Sequence, residues 1–317
     1  MSARETTNID FMGVRKLAAL ISIIMVLGAA VSLGVRGLAL GLDFTGGSLV
    51  EVEYAQPPNL AEVRETLDDS GFEDSMVQNF GSDTAVLMRL PAQFDDTVGQ
   101  QVVSTLEQGA DITLKRSEYV GGQVGEELRE KGGLALLLAF FVVLVYVAMR
   151  FQLKFGVASV IPLLHDVMIV LGIFSFFELT FDLTVLAALL AVIGYSLNDT
   201  IIVSDRIREN FRRMLKGGPQ EIINASLNQV LVRTLVTSGT TLVVLLSLLV
   251  FGGEMIRNFA LALFIGVLVG TYSSIYVAAN ILVVLGVSRD DLYVPKKEGA
   301  GDESDDEEPP EWLKRME

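Results

Sequence analysis

A polytopic α-helical membrane protein, with six transmembrane helices and one α+β domain of ferredoxin-like βαββαβ order between helices 1 and 2, is the fold class this sequence predicts. Three observations carry that reading. Six apolar runs are long enough to cross a bilayer, a polar block of roughly 98 residues separates the first two, and the 317-residue chain is 51% hydrophobic with a mean hydropathy of +0.49. An ordinary soluble domain is less apolar than this.

A hydrocarbon core of ~30 Å takes roughly 20 residues of helix. The runs of that size are Leu17 to Val35, Leu134 to Met149, Gly156 to Phe177, Leu183 to Ser204, Leu235 to Phe251 and Phe259 to Leu285. The first follows Arg15 and Lys16 and contains Ala29 and Ala30, features shared with a cleaved signal peptide. At about 19 residues it exceeds the roughly 7 to 15 of a signal core, which favours a retained span. The expected organisation is therefore 1–35 for the N-terminus and first span, 36–133 for the α+β domain, 134–285 for spans 2 to 6, and 286–317 for an acidic tail.

Within 36–133 the pattern predicts a strand over Ser48 to Tyr54, a helix over Asn59 to Ser70, strands over Ser75 to Phe80 and Thr84 to Leu90, a helix over Asp95 to Gln108, and a last strand over Ile112 to Tyr119. Asn59 followed by Glu62 is a helix-start signal of the capping-box kind. The order gives a ferredoxin-like sandwich and no function by itself.

Charge sets the expected sidedness. Arg15, Lys16, Arg150, Lys154, Arg206, Arg208, Arg212, Arg213, Lys216 and the basic residues of the tail fall on one side, while the short opposite loops hold only Arg257. The positive-inside rule puts both termini in the cytoplasm and 36–133 outside. Two blocks carry the acid, −11 over 36–131 and −6 over 286–317, and the remaining residues sum to +2, giving the net charge of −15. Neither block is basic, so no nucleic-acid partner is expected. The run from Asp302 to Glu308 reads as a solvated tail.

With no cysteine and His165 the single histidine, the sequence excludes thiol chemistry, zinc-cysteine sites and multi-histidine metal clusters. The Gly41 to Gly47 stretch lacks the spacing and lysine of a phosphate-binding loop, and a Ser-His-Asp arrangement outside the membrane is impossible. The chain does not read as an enzyme.

Ionisable groups inside spans are costly, by at least ~2.5–3.5 kcal/mol at a helix centre. His165, Asp166, Asp199 and Arg233 qualify. Tyr195, Asp199 and Arg206 lie at i, i+4 and i+11, a stripe from a phenol through a carboxylate to a cation, with Asn198 beside it. Arg233 opens a second stripe with Thr237, Thr240 and Thr241. Facing each other, Arg233 and Asp199 would form a proton-coupling pair, since a nearby cation and desolvation act in opposite senses on proton affinity. The plainer reading makes Asp199 a structural carboxylate paired with Arg206, and Arg233 a residue of the basic interface. His165 and Asp166 lie near the middle of span 3, with Pro162 four residues before Asp166; they are a second candidate relay or a structural hydrogen-bonded pair. Gly266-x-x-x-Gly270, ahead of Tyr272, Tyr276 and Asn280, offers a close helix approach.

The segments GLDFTGGS (41–48), YVGGQVGEEL (119–128), YSLNDTIIVSDRIREN (195–210) and GTYSSIY (270–276) resemble the SecF family, the smaller membrane component of the SecD-SecF accessory complex of bacterial protein export. The resemblance runs from about Asn8 to Leu292 in the right order around six spans. It implies one half of a resistance-nodulation-division architecture in the bacterial inner membrane, the other half being supplied by SecD. The further implied partners are the SecYEG channel, YajC, translocating preproteins and membrane lipid. It also implies that no cofactor is used beyond the proton as coupling ion, with the proton carried at Asp199 and Arg233 associated with it. Asp43, Gly46 and Gly47 read as a structural turn tying the domain to the membrane rather than as a binding site. Gly122 departs from the family pattern, standing where relatives often carry proline. The reading from another class is an independent proton-coupled half-transporter exporting a hydrophobic small molecule or lipid; a third is a scaffold without proton chemistry.

Overall fold

The computed structural model describes residues 9–73, 75–91, 97–107, 110–214, 216–289 and 291. Among these, the elements run α1 (Arg15–Arg36), α2 (Leu42–Thr45), β1 (Gly47–Tyr54), α3 (Leu60–Asp69), β2 (Met76–Phe80), β3 (Ser82–Leu90), α4 (Val98–Leu106), β4 (Ile112–Val120), α5 (Gly122–Arg150), α6 (Leu153–Phe176), α7 (Leu183–Arg213), α8 (Pro219–Phe251) and α9 (Glu254–Val284). Six of the helices, α1 and α5 to α9, are long and apolar enough to cross a membrane. Each contains most or all of one of the six apolar runs, but α5 begins at Gly122, inside the block expected to end at residue 133, and α7 and α8 extend beyond their runs.

The sheet order is β2-β3-β1-β4 with every neighbouring pair antiparallel. That is the ferredoxin-like arrangement, in which each helix links two parallel strands separated by a third. Alternation along β1 and β3 turns Val50, Val52, Val86, Met88 and Leu90 into one core, covered by Val63 and Leu67 of α3 and Val98 and Val102 of α4. Asn59 is the N-cap of α3: its Oδ1 accepts from Ala61 N at 3.0 Å, and its amide donates to Glu62 Oε1 rather than leaving Glu62 to the backbone. Of the helix expected over 95–108, residues 95, 96 and 108 lie outside the described residues.

In the bundle, α6, α7 and α9 are the most covered helices, and α1, α5 and α8 surround them with apolar side chains turned outward. Small residues govern the tightest contacts. A Cβ on Gly266 of α9 would sit 2.2 Å from Val192 Cγ2, and one on Gly270 would sit 3.3 Å from Ser196 Cβ. Gly266→Ala is therefore expected to destabilise the bundle by about 1–3 kcal/mol, read as a lowered thermal unfolding midpoint in detergent. Val192→Ala in the same chain should restore most of that loss, because the colliding atoms belong to the Val192 side chain. Helix α1 packs along α6 and α9, with Ser32 Oγ donating to Ser175 Oγ at 2.9 Å and Tyr272 OH donating to Ala18 O at 2.7 Å.

Helices α7 and α8 run past their apolar runs at the arginine-rich end as an amphipathic hairpin. Pro219 occupies the first turn of α8, where a missing amide is harmless. Asn210 joins the two helices through Ser226 Oγ (2.8 Å) and Gln229 Oε1 (2.9 Å). After α9 the chain is held at this same end: Lys154 Nζ donates to Gly286 O (3.0 Å) and to Asp291 Oδ2 (2.8 Å), and Arg289 donates to Met214 O (2.6 Å). The Lys154 ammonium, with the Ser288 donors, holds the Asp291 carboxyl below the usual carboxylate range, so this clasp keeps its charge until the pH falls below that range. Most of the expected acidic tail, residue 290 and residues 292–317, lies outside the described residues.

Candidate functional site

Three polar assemblies contain Asp43, Gly46, Gly47, His165, Asp166, Tyr195 and Asp199 of the residues singled out in the sequence. The first is the junction between domain and bundle. Gly46 and Gly47 have φ of 67° and 119°, a region that favours glycine. A Cβ on Gly46 would lie 2.6 Å from Gly122 Cα, and one on Gly125 would lie 2.6 Å from Gly46 N, so the loop and the start of α5 interlock backbone to backbone. Gly122 is the first residue of α5, a position where proline is also well accommodated. Asp43 Oδ2 accepts from Leu183 N at 3.0 Å, at the head of α7, where the free helical amides favour a carboxylate. Arg89 of β3 donates to Leu40 O (2.8 Å) and Thr45 Oγ1 (2.6 Å). The geometry is that of a structural clasp.

The second assembly surrounds Asp166, which is fully buried in α6. Its Oδ1 meets His165 Nδ1 at 2.8 Å, and its Oδ2 accepts from Ser196 of α7 (2.5 Å) and Ser273 of α9 (2.8 Å). Three donors from three helices thus satisfy one carboxylate, as a buried charge requires. Helix α6 passes through Pro162 as one element. With Nδ1 engaged by Asp166, the buried His165 Nε2 has no protein partner, and the ring stacks on Tyr272 with centroids 6.3 Å apart. His165 forms part of the wall of an apolar groove of about 420 Å³ between α1, α6 and α9.

The third assembly surrounds Asp199 of α7, 1% exposed. Ser238 of α8 is its hub. The Ser238 hydroxyl donates to Asp199 Oδ2 at 3.5 Å, a long bond, while Thr271 of α9 (2.7 Å) and Tyr195 OH (3.3 Å) donate to Ser238 Oγ. Three buried hydroxyls nearby in sequence, Thr200, Ser204 and Thr234, bond no other protein group.

Several sequence expectations need correction here. Arg206 pairs with Glu209 at 2.8 Å and not with Asp199, because seven residues separate 199 from 206 and place them about 10 Å apart along the helix. Arg233 forms no ion pair among the described residues and is exposed on α8. Thr237 and Thr240 lie on that same outer face, and Thr237, Thr240 and Thr241 all bond carbonyls of their own helix. Such back-bonding satisfies the hydroxyl locally. The inward stripe of α8 runs instead through Thr234, Ser238 and Leu245. Asn198 is exposed on α7, in line with Ala187, Ala191 and Gly194. Asp166 and Asp199 do not meet: Asp166 of α6 accepts from Ser196 of α7 and Ser273 of α9, whereas Asp199 of α7 accepts from Ser238 of α8. Sequence reasoning missed Ser196, Ser238 and Thr271. Ser196 and Thr271 sit in two of the four segments that carried the family resemblance, whereas Ser238 had only its i+4 spacing from Thr234 to distinguish it.

Residues 100–288 match the family described as protein export membrane protein SecD/SecF, C-terminal, and residues 31–58 match the SecD/SecF GG motif. The protein translocase subunit SecF of Pseudomonas aeruginosa is 48% identical over 299 residues, covering 93% of this chain and 97% of that one. The SecF of Escherichia coli O157:H7 is 46% identical over 299 residues, 92% and 93% of the two chains. Among solved structures, SecDF from Thermus thermophilus, described as a translocon-associated membrane protein, superposes with a TM-score of 0.83 at 36% identity over 90% of this chain. SecDF in a super-membrane-facing form gives 0.67 at the same identity and coverage. The chain spans 40% and 39% of those two longer chains.

Proposed function

Because the chain belongs to the SecD/SecF family of protein-export membrane proteins, and is in that setting a multi-pass inner-membrane accessory subunit of Sec translocation rather than an enzyme, we propose that it uses the proton-motive force to promote late movement and release of preproteins outside the membrane. The observation that carries this is the buried Asp199. A carboxylate held at the meeting of three spanning helices, contacted by one long hydroxyl bond and followed by hydroxyls without protein partners, is poised to exchange a proton. One proton crossing ~100 mV releases about 2.3 kcal/mol, enough to bias two domain positions that differ by a few kcal/mol.

The outer faces of α7 and α8 supply the second half of the argument. Arg233, Thr237 and Thr240 of α8 and Asn198 of α7 point away from this bundle, beside the small residues Ala187, Ala191 and Gly194. Against lipid an outward arginine and asparagine are costly, whereas small residues admit a neighbouring helix. A SecD-type half covering this face would bring its own polar groups to Arg233, and the SecDF likeness supports such a partner. Sidedness follows the arginines: both termini cytoplasmic, 36–133 periplasmic. SecYEG, YajC and lipid are the further neighbours in this reading.

Two measurements test it. Export of a preprotein into vesicles is compared with and without a proton gradient, in the presence and absence of this chain and its SecD-type partner; the gradient-dependent part should vanish without them. The chain has no cysteine, so Thr240→Cys is expected to cross-link to that partner in the membrane while Leu137→Cys on α5 does not. Self-association with substrate-stimulated proton flux, and no SecD-type partner, would instead select the half-transporter.

A further inference from the structure

The arginine-rich end of the bundle carries more cationic charge than its own carboxylates balance. Asp205 receives Arg150 (3.0 Å) and Arg208 (3.3 Å), while Glu209 receives Arg206 (2.8 Å) and Arg213 (2.7 Å). Two carboxylates thus serve four guanidinium groups. Arg212 makes no ion pair among the described residues, and the buried Arg208 Nε has no hydrogen-bond partner. Arg150, Arg208, Arg212 and Arg213, with Asp205 and Glu209, wall a cleft of about 420 Å³. Uncompensated guanidinium groups around a concavity focus a positive potential and favour an anionic occupant.

The chain itself leaves the bundle beside this cleft. Arg289 donates to the carbonyl of Met214, the residue after Arg213, and Asp291 is held by Lys154, four residues from Arg150. Residues 302–308 (DESDDEE) then present six carboxylates and no base. Ten residues lie between Asp291 and Asp302, and the eleven chain steps at ~3.3–3.6 Å each reach up to roughly 36–40 Å, several times the ~10–12 Å width of a helix.

We propose that the acidic segment 302–308 of this same chain docks on the arginine cleft formed by α5 and α7. Charge complementarity provides the attraction, and the tether provides a local concentration no free anion matches. The contact is electrostatic, competes with other anions for the cleft, and loosens as salt rises. It requires nothing of the export reading, because both elements emerge at the same end of the bundle whichever side that end faces.

The test uses the full chain in phospholipid vesicles. With Met214→Cys and Ser304→Cys as the two cysteines, disulfide formation is followed in vesicles of phosphatidylcholine mixed with phosphatidylglycerol. Formation is expected there, and should slow roughly tenfold, the scale of several exposed ion pairs acting together, when Arg212→Gln and Arg213→Gln are combined or when the acids of 302–308 become amides. Arg212→Lys with Arg213→Lys should keep it, which separates charge from misfolding. Formation in pure phosphatidylcholine but not in the anionic mixture would overturn the proposal in favour of lipid headgroups. Formation indifferent to both sets of neutralisations, or absent from both kinds of vesicle, would also overturn it.

Discussion

Asp199→Asn is expected to remove the gradient-dependent part of preprotein export entirely, leaving the gradient-free rate and co-purification with the SecD-type partner unchanged. Asparagine keeps the size of the side chain and an oxygen to accept from Ser238, so the junction of α7, α8 and α9 keeps its shape. What it loses is the proton. Asp199→Glu retains a carboxyl, displaced by one methylene, and should retain part of the response. Ser238→Ala removes the hydroxyl through which Tyr195 and Thr271 reach the carboxylate, and should fall between wild type and Asp199→Asn. The measurement is export into vesicles with a proton gradient imposed or collapsed. A full gradient response in Asp199→Asn would sink the assignment and leave His165, Asp166 or the partner as the proton carrier.

The second large effect is on stability. Asp166→Ala strands the Ser196 hydroxyl and His165 Nδ1 inside the bundle, each at a cost of ~1–3 kcal/mol when unpaired, and leaves the Ser273 hydroxyl only its bond to Gly270 O. The sum is expected on the order of 3–5 kcal/mol, large enough to deplete the protein from membranes and to lower its unfolding midpoint in detergent well below that of Gly266→Ala. Asp166→Asn, which still accepts from two hydroxyls, should be much milder. If Asp166→Ala accumulates and assembles normally yet loses the gradient response, the carboxylate transports protons rather than holding helices together.

The contrast between these two aspartates marks how far the sequence could be read. Span number and position were legible because apolar length is a direct consequence of bilayer thickness, and the βαββαβ order was legible because alternation and helix periodicity differ in period. The extensions of α7 to Arg213 and of α8 back to Pro219 were not, since their amphipathic turns lack the apolar signature of a span. The facing of α8 was not legible either. Its hydroxyls fall on two stripes, Arg233-Thr237-Thr240 and Thr234-Ser238, and only packing against α7 and α9 decides which one turns inward. Likewise His165 and Asp166 are conspicuous in any reading, but their partners Ser196 and Ser273 come from helices 30 and 107 residues away.

The clasp at the root of the α+β domain has a mechanical consequence. The domain is joined to the bundle by two chain crossings, and both are fixed at one point: the Asp43 loop holds the head of α7, and its glycines are locked into the first turn of α5. A swivel at that point is blocked, so a turning domain must carry α5 and α7 with it. Asp199 lies 17 residues down α7 from Asp182, about 25 Å at ~1.5 Å per residue. A tilt of about 5° at the head of a rod that long moves its far end by roughly 2 Å, more than the difference between a made and a broken hydrogen bond. The domain and the Asp199 carboxylate thus lie on either side of the glycine clasp, and under the proposed function a force that turns the domain is expected to reach Asp199 as a displacement of α7.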